Sequence, residues 1–209
     1  TTARLKDPKQ QRKLMTIIQE DVVRLDRLIS DISDASRLDA ELSRAETEPV
    51  DIGAMLEVLV DLQNTTFDNT NGGTPRIHLE GRALDDEPLM VNGIEIRLAQ
   101  VFRNLFTNAV SFSETQDRIT ITVSCKDGWM TVHVDDEGPG LPKGKEDAIF
   151  DRFYTDRRDS EKFGTHSGLG LSISRQIINA HRGQLTASNR MDADGNILGA
   201  RFTVHLSTG

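Results

Sequence analysis

The sequence predicts an α+β fold: short strands interleaved with helices, all preceded by one long helix. Residues 97–113 place Leu98, Val101, Phe102, Leu105, Phe106 and Ala109 three or four apart, the stripe of a half-buried helix. Further on, Ile119, Ile121 and Val123, then Met130, Val132 and Val134, alternate on either side of Asp127-Gly128, the pattern of a β-hairpin. Before these, Leu14, Ile18, Leu25, Leu28, Ile32, Ala35 and Leu42 mark a bundle-like seam over residues 9–44.

The elements follow in order. Pro8 stands just ahead of the long helix, where proline is tolerated. Asp21 and Asp39 fall on its seam and fit a dry core poorly, and its other faces carry solvated charge. A lone helix of this kind needs partners, from a second copy or from sequence elsewhere. Residues 46–50, polar and then proline, read as a linker. A helix is expected at 52–66, a loop rich in Asn, Gly and Thr at 68–75, and short strands at 76–79 and 89–91. After the asparagine-bearing helix and the hairpin, residues 141–167 read as a long mobile segment, and long loops are often functional lids. A helix over 170–180 and strands at 184–188 and 200–206 complete the chain. No internal repeat is present.

Composition narrows the function classes. Aliphatic residues dominate the hydrophobic content, since aromatics are only 5% of the chain. A net charge of −8 argues against a general nucleic-acid binder. The single cysteine, Cys125, permits no disulfide framework and is expected as a small, buried or half-buried strand residue. A reducing cytoplasm fits. No apolar run reaches membrane-spanning length, and no signal peptide is expected at the start.

Three constellations carry chemistry. Asn104 and Asn108 are four apart and share one helix face, although asparagine is a poor helix former. Their neutral oxygens suit Mg, which is commonly shared between few protein groups and substrate phosphates. Structural amides that cap neighbouring loops are the plainer alternative. The run Asp135-Asp136-Glu137-Gly138-Pro139-Gly140 ends a strand. Its glycines let a flat ligand approach, and Asp136 can accept from an exocyclic amine such as that of adenine. An ordinary acidic turn reads the same. The glycines of residues 164–171 lead into a helix whose unsatisfied N–H groups attract phosphate. No Walker-type Gly-Lys-Ser/Thr is present. Together they make an ATP–Mg site the leading reading. Ile149-Phe150-Asp151-Arg152-Phe153-Tyr154 reads as an exposed aromatic cluster, and Arg157, Arg158 and Lys162 beyond it read equally as groups that reach terminal phosphates when a lid closes or as solvated lid charges. The five histidines read as structural or surface groups.

In combination and order these motifs resemble the catalytic, ATP-binding domain of bacterial sensor histidine kinases. NLFTNA resembles the family's N box, DDEGPG its G1 box, IFDRFY its F box and SGLGLSI its G2 box, over roughly residues 50–207. RLDRLISDISDASRLDAEL is similar to the second helix of the dimerisation hairpin, in the wording of the ChvG/ExoS type. The resemblance implies an α/β sandwich like that of chaperone ATPases, a mixed sheet with helices on one face. It implies that Asn104 binds Mg and serves catalysis, and that Arg157 or Arg158 supplies phosphate contacts. Asn108 would hold the phosphates and Asp136 the adenine amine. Gly138 and Gly140 would shape the pocket, and Gly168, Leu169, Gly170 and Leu171 would offer backbone amides.

The implied organisation is a hairpin helix over 1–45, a linker and a catalytic domain over 51–209. A response regulator as partner, a homodimer through the N-terminal helix, and a place as the cytoplasmic portion of an inner-membrane sensor are implied as well; membrane attachment would lie upstream. Two departures stand out. Ser111 occupies a place where many members carry a basic residue. No histidine precedes His78, so the phosphoacceptor box is absent, and the chain is expected to bind ATP without phosphorylating itself. A non-enzymatic ATP-dependent interaction module and a related superfamily ATPase are the competing readings.

Overall fold

A computed structural model describes scattered positions between Gln11 and Leu42, and then residues 44–68, 75–80, 88–154 and 168–208. Every described position from Gln11 to Leu42 is helical, as the seam predicts. Leu14 and Ile18 are exposed, whereas Leu38 is fully buried in the main core and Leu42 is half-buried against it. The docking contact thus includes Leu38, a residue off the expected seam.

The expected linker at 46–50 is corrected in part. Strand β1 (Glu48–Asp51) pairs antiparallel with β3 (Met90–Gly93), Val50 opposite Val91, as a small separate sheet. Val50 and Val91 are both buried, and that burial favours the extended conformation over a free linker. Asp51 then caps α1 (Ile52–Asp68): its Oδ1 accepts from the Gly53 and Ala54 N–H groups at 2.9 and 3.2 Å.

The main sheet has the order β2-β4-β5-β7-β6. Its strands are β2 (Arg76–Glu80), β4 (Arg118–Lys126), β5 (Trp129–Asp135), β6 (Gln184–Met191) and β7 (Ile197–Ser207). Only β2 and β4 run parallel, so the sheet is mixed, as expected. Asn64 of α1 bonds the outer edge of β2, donating to the Ile77 carbonyl and accepting from its N–H at 2.9 and 3.1 Å. An amide side chain thereby stands in for a missing neighbour strand.

One face of the sheet is apolar: Ile119, Ile121, Met130, Val132, Val134, Phe202, Val204 and Leu206 are buried under the helices. The opposite face carries Thr122, Thr131, His133, Thr203 and His205. There His133 Nδ1 meets Thr203 Oγ1 at 3.0 Å and His205 Nδ1 meets Thr131 Oγ1 at 2.9 Å. Both histidines are cross-strand partners, in keeping with a structural role. Cys125 is exposed rather than buried, in the last three residues of β4, all of which are exposed.

Helix α2 (Glu95–Phe112) buries every residue of the predicted stripe completely. Phe102 and Phe106 alone each contribute about 1.5–3 kcal/mol by leaving water. Helix α3 (Gly170–Ala180) packs beside it through Ile173, Ile177 and Ile178. At the end of α3, His181 donates from Nδ1 to the Ile177 carbonyl at 2.7 Å. Its Nε2 accepts from the Ile94 N–H at 3.0 Å, where α2 begins without a side-chain cap of its own. Among the described residues no helix is long and apolar enough to cross a membrane.

Candidate nucleotide site

Helix α2 is the wall that the other site elements share. Asn104, half-buried on its polar face, donates from Nδ2 to the Gly170 carbonyl at 3.1 Å and to Ser174 Oγ at 3.2 Å. A carbonyl can only accept, so the amide nitrogen must face α3. Oδ1, which a Cβ on Gly170 would meet at 3.8 Å, stays beside the start of α3 as a hard, neutral oxygen ligand, which fits what Mg takes from protein. Asn108, one turn on, is also half-buried; its carbonyl accepts from the Ser111 hydroxyl at 2.8 Å. Ser111 therefore folds back on its own helix where a basic residue would reach outward.

At the other end of α2, a Cβ on Gly138 would collide with the Phe112 carbonyl oxygen. Only glycine lets the turn after β5 lie this close to the helix. That turn begins with Asp136, 2% exposed. Its Oδ1 accepts from the Gly138 N–H at 3.0 Å and the Ala200 N–H at 2.9 Å. Among the described residues no donor reaches its Oδ2. Burial pushes the carboxyl above the ordinary carboxylate range, against the opposing pull of those two N–H groups and of Arg190. A buried acceptor oxygen without a protein partner is costly unless a ligand donor completes it. Gly140 follows beside Asn189, whose amide bonds both backbone groups of Leu141 at 2.6 and 2.9 Å.

The back of this turn is held by charge. Arg201 makes a two-point contact with Asp135, Nε to Oδ1 at 2.7 Å and a terminal nitrogen to Oδ2 at 2.6 Å. Arg190 donates to the Asp136 carbonyl at 2.8 Å and lies 3.5 Å from Asp135 Oδ2. None of these three roles was foreseen from the sequence. The Asp135–Arg201 pair depends on strand register, which sets the two residues opposite each other.

The aromatic run is only half as exposed as expected. Ile149 and Phe150 are buried, Phe150 edge-on to Phe202 with centroids 6.5 Å apart and with the Arg175 guanidinium 4.1 Å from its ring centre. Phe153 alone stands out, 59% exposed. Residues 141–154 are thus a built part of the domain, not the start of a mobile loop. The Phe153 N–H donates to the Gly168 carbonyl at 3.0 Å, which joins both sides of the 155–167 segment. Leu169 is buried, anchoring the entry to α3, while Gly170 and Leu171 form its first turn, with no side-chain cap. A helix start without a side-chain cap is a place where backbone N–H groups and the helix dipole attract an anion. Arg157, Arg158, Lys162 and His166 lie outside the described residues.

A mixed sheet under helices, with an amide face, a buried carboxylate turn and a glycine-led helix start around one wall, defines an α/β sandwich. The chain belongs to the histidine kinase-, DNA gyrase B- and HSP90-like ATPase family, whose model matches residues 93–209. It is 47% identical to the sensor protein ChvG of Agrobacterium fabrum strain C58 over 99% of its own length and 35% of that relative. Against the sensor protein ChvG of Rhizobium meliloti strain 1021 the identity is 45%, over 95% of this chain and 34% of the relative. The chain therefore spans about a third of the length of these relatives. Among solved structures it resembles histidine kinase ThkA in complex with the response regulator protein TrrA. The TM-score is 0.71 and the identity 25%, over 99% of this chain and 54% of that one.

Proposed function

We propose that this chain is the ATP-binding kinase portion of a sensor histidine kinase, passing the γ-phosphoryl group of ATP to a histidine outside these residues. The observation that carries the reading is the buried Asp136 carboxylate, whose Oδ2 meets no donor among the described residues. The adenine amine supplies that donor. Asn104 offers Oδ1 to Mg, with Asn108 beside it toward the phosphates, while Gly168, Leu169, Gly170 and Leu171 present backbone amides. When bound, Mg neutralises charge on the triphosphate. The protein's share is positioning and electrostatics around an in-line transfer. Arg157 and Arg158 are assigned to the terminal phosphates.

Residues 1–45 are assigned to the second helix of a dimerisation hairpin and residues 51–209 to the catalytic domain. Sequence likeness to ChvG and structural likeness to a kinase–regulator complex support a response regulator as the eventual partner. A homodimer through the N-terminal helix and a place as the cytoplasmic portion of an inner-membrane sensor belong to the same proposed reading. Asn104 has no basic site to take a proton from water, so slow intrinsic ATP hydrolysis is expected.

The test is transfer in trans. With labelled ATP and Mg, the chain alone stays unlabelled, and a supplied hairpin carrying the acceptor histidine becomes labelled. Rapid phosphate release with no labelled hairpin would instead favour a hydrolytic ATPase.

A further inference from the structure

Ser174 is a fully buried polar residue in the middle of an apolar helix face, between Ile173, Ile177 and Ile178. Its hydroxyl donates to the Gly170 carbonyl at 2.8 Å. The donor is used up, so a lone pair is left facing the Asn104 amide, whose Nδ2 donates to it at 3.2 Å. The same carbonyl accepts from Asn104 at 3.1 Å. The three groups close a small ring in which every polarity is determined: one carbonyl that only accepts, one hydroxyl that accepts and donates, one amide nitrogen that donates twice.

We propose that Ser174 is a positioning residue for Mg-dependent phosphoryl transfer, holding the Asn104 amide so that Oδ1 is presented to the metal. Rotating the amide by half a turn puts Oδ1 against the Gly170 carbonyl and strips Ser174 of its donor, two losses at once. Without the hydroxyl the amide keeps one anchor instead of two, and its oxygen samples more directions. The two anchors, Gly170 and Ser174, stand one turn apart at the N-terminal end of α3, so the metal ligand on α2 is aligned by the element whose N-terminus is assigned to the phosphates. Precise orientation of a ligand by its outer neighbours is what gives a metal site its affinity. The proposal rests on the assignment of Asn104 to Mg.

The test uses the whole chain with ATP and MgCl₂. In Ser174→Ala, the Mg concentration at half-maximal ATP binding rises about three- to tenfold, while ATP binding in EDTA is unchanged. Without any nucleotide, the Asn104 side-chain amide protons lose their shifted, slowly exchanging NMR signals. Ser174→Thr, which keeps the hydroxyl, restores both readouts. Asn104→Ala raises the Mg requirement further, and adding Ser174→Ala to it causes no additional loss. A folded Ser174→Ala with the original Mg requirement and unaltered Asn104 amide signals overturns the proposal. So does Ser174→Ala raising the Mg requirement further in the Asn104→Ala background. If Asn104→Ala itself leaves the Mg requirement unchanged, the assignment of Asn104 fails first, and that result is distinct from the other two.

Discussion

Asp136 brings the proposed adenine contact and the cost of burial into one carboxyl. Its folded-state pKa is raised, chiefly by desolvation, so the nucleotide-free fold holds its proton more tightly than the unfolded chain does. Stability linked to that proton is fully present below the ordinary value of 3.8 and is lost as pH rises through the raised one. Asp136→Asn removes the charge, and the nucleotide-free variant is expected to lose less melting temperature than the parent across that window. An amine donor favours the ionised form, so ATP binding should release a proton and weaken as pH falls through the same window. Titrations at several pH values check this, and Asp136→Asn should bind weakly at all of them. At Gly138 the limit is space: Gly138→Ala is expected to cost about 2 kcal/mol in urea unfolding, because the new Cβ must displace helix backbone. The turn at Asp136 and Gly138 was visible in the sequence as a carboxylate and glycines at a strand end, but an ordinary acidic turn reads the same, and the burial of Asp136 shows only in the fold. Ser174 was not legible, since a serine inside a helix looks like surface until its neighbours are placed.

Elements in this domain are fastened to one another by side chains that reach the backbone of the next one. His181 joins the end of α3 to the start of α2, accepting an N–H that the Ile94 position cannot satisfy with its own side chain. His181→Ala is expected to cost about 1–3 kcal/mol, the penalty of stranding that donor, measured as a lower denaturant midpoint with an unchanged slope. The helices themselves were readable because a 3.6-residue period survives tertiary context: the stripe from Leu98 to Ala109 is buried throughout. Strand β1 was not readable. Its partner lies some forty residues away in a two-stranded sheet, and four residues carry too little alternation to announce it. Phe150 was misjudged for a related reason. In an irregular segment no period says which aromatic turns inward.

The core extends beyond the family-matched region, because Leu38 of the N-terminal helix is buried in the same cluster as the residues under the sheet. Leu38→Ala is accordingly expected to destabilise the chain by about 2–4 kcal/mol, as a buried leucine truncation does, whereas Leu14→Ala, at an exposed position, should cost well under 1 kcal/mol. Thermal or urea unfolding of the pair would show whether the helix and the sandwich unfold together.

In the proposed function, Mg-ATP completes a pocket formed by a buried carboxylate and an oriented amide. Calorimetric titration of the chain with ATP in the presence of Mg tests this most directly. One nucleotide should bind per chain, with affinity at least tenfold weaker in both Asp136→Asn and Asn104→Ala. Absence of binding heat in the parent, or full affinity retained in both variants, would contradict it.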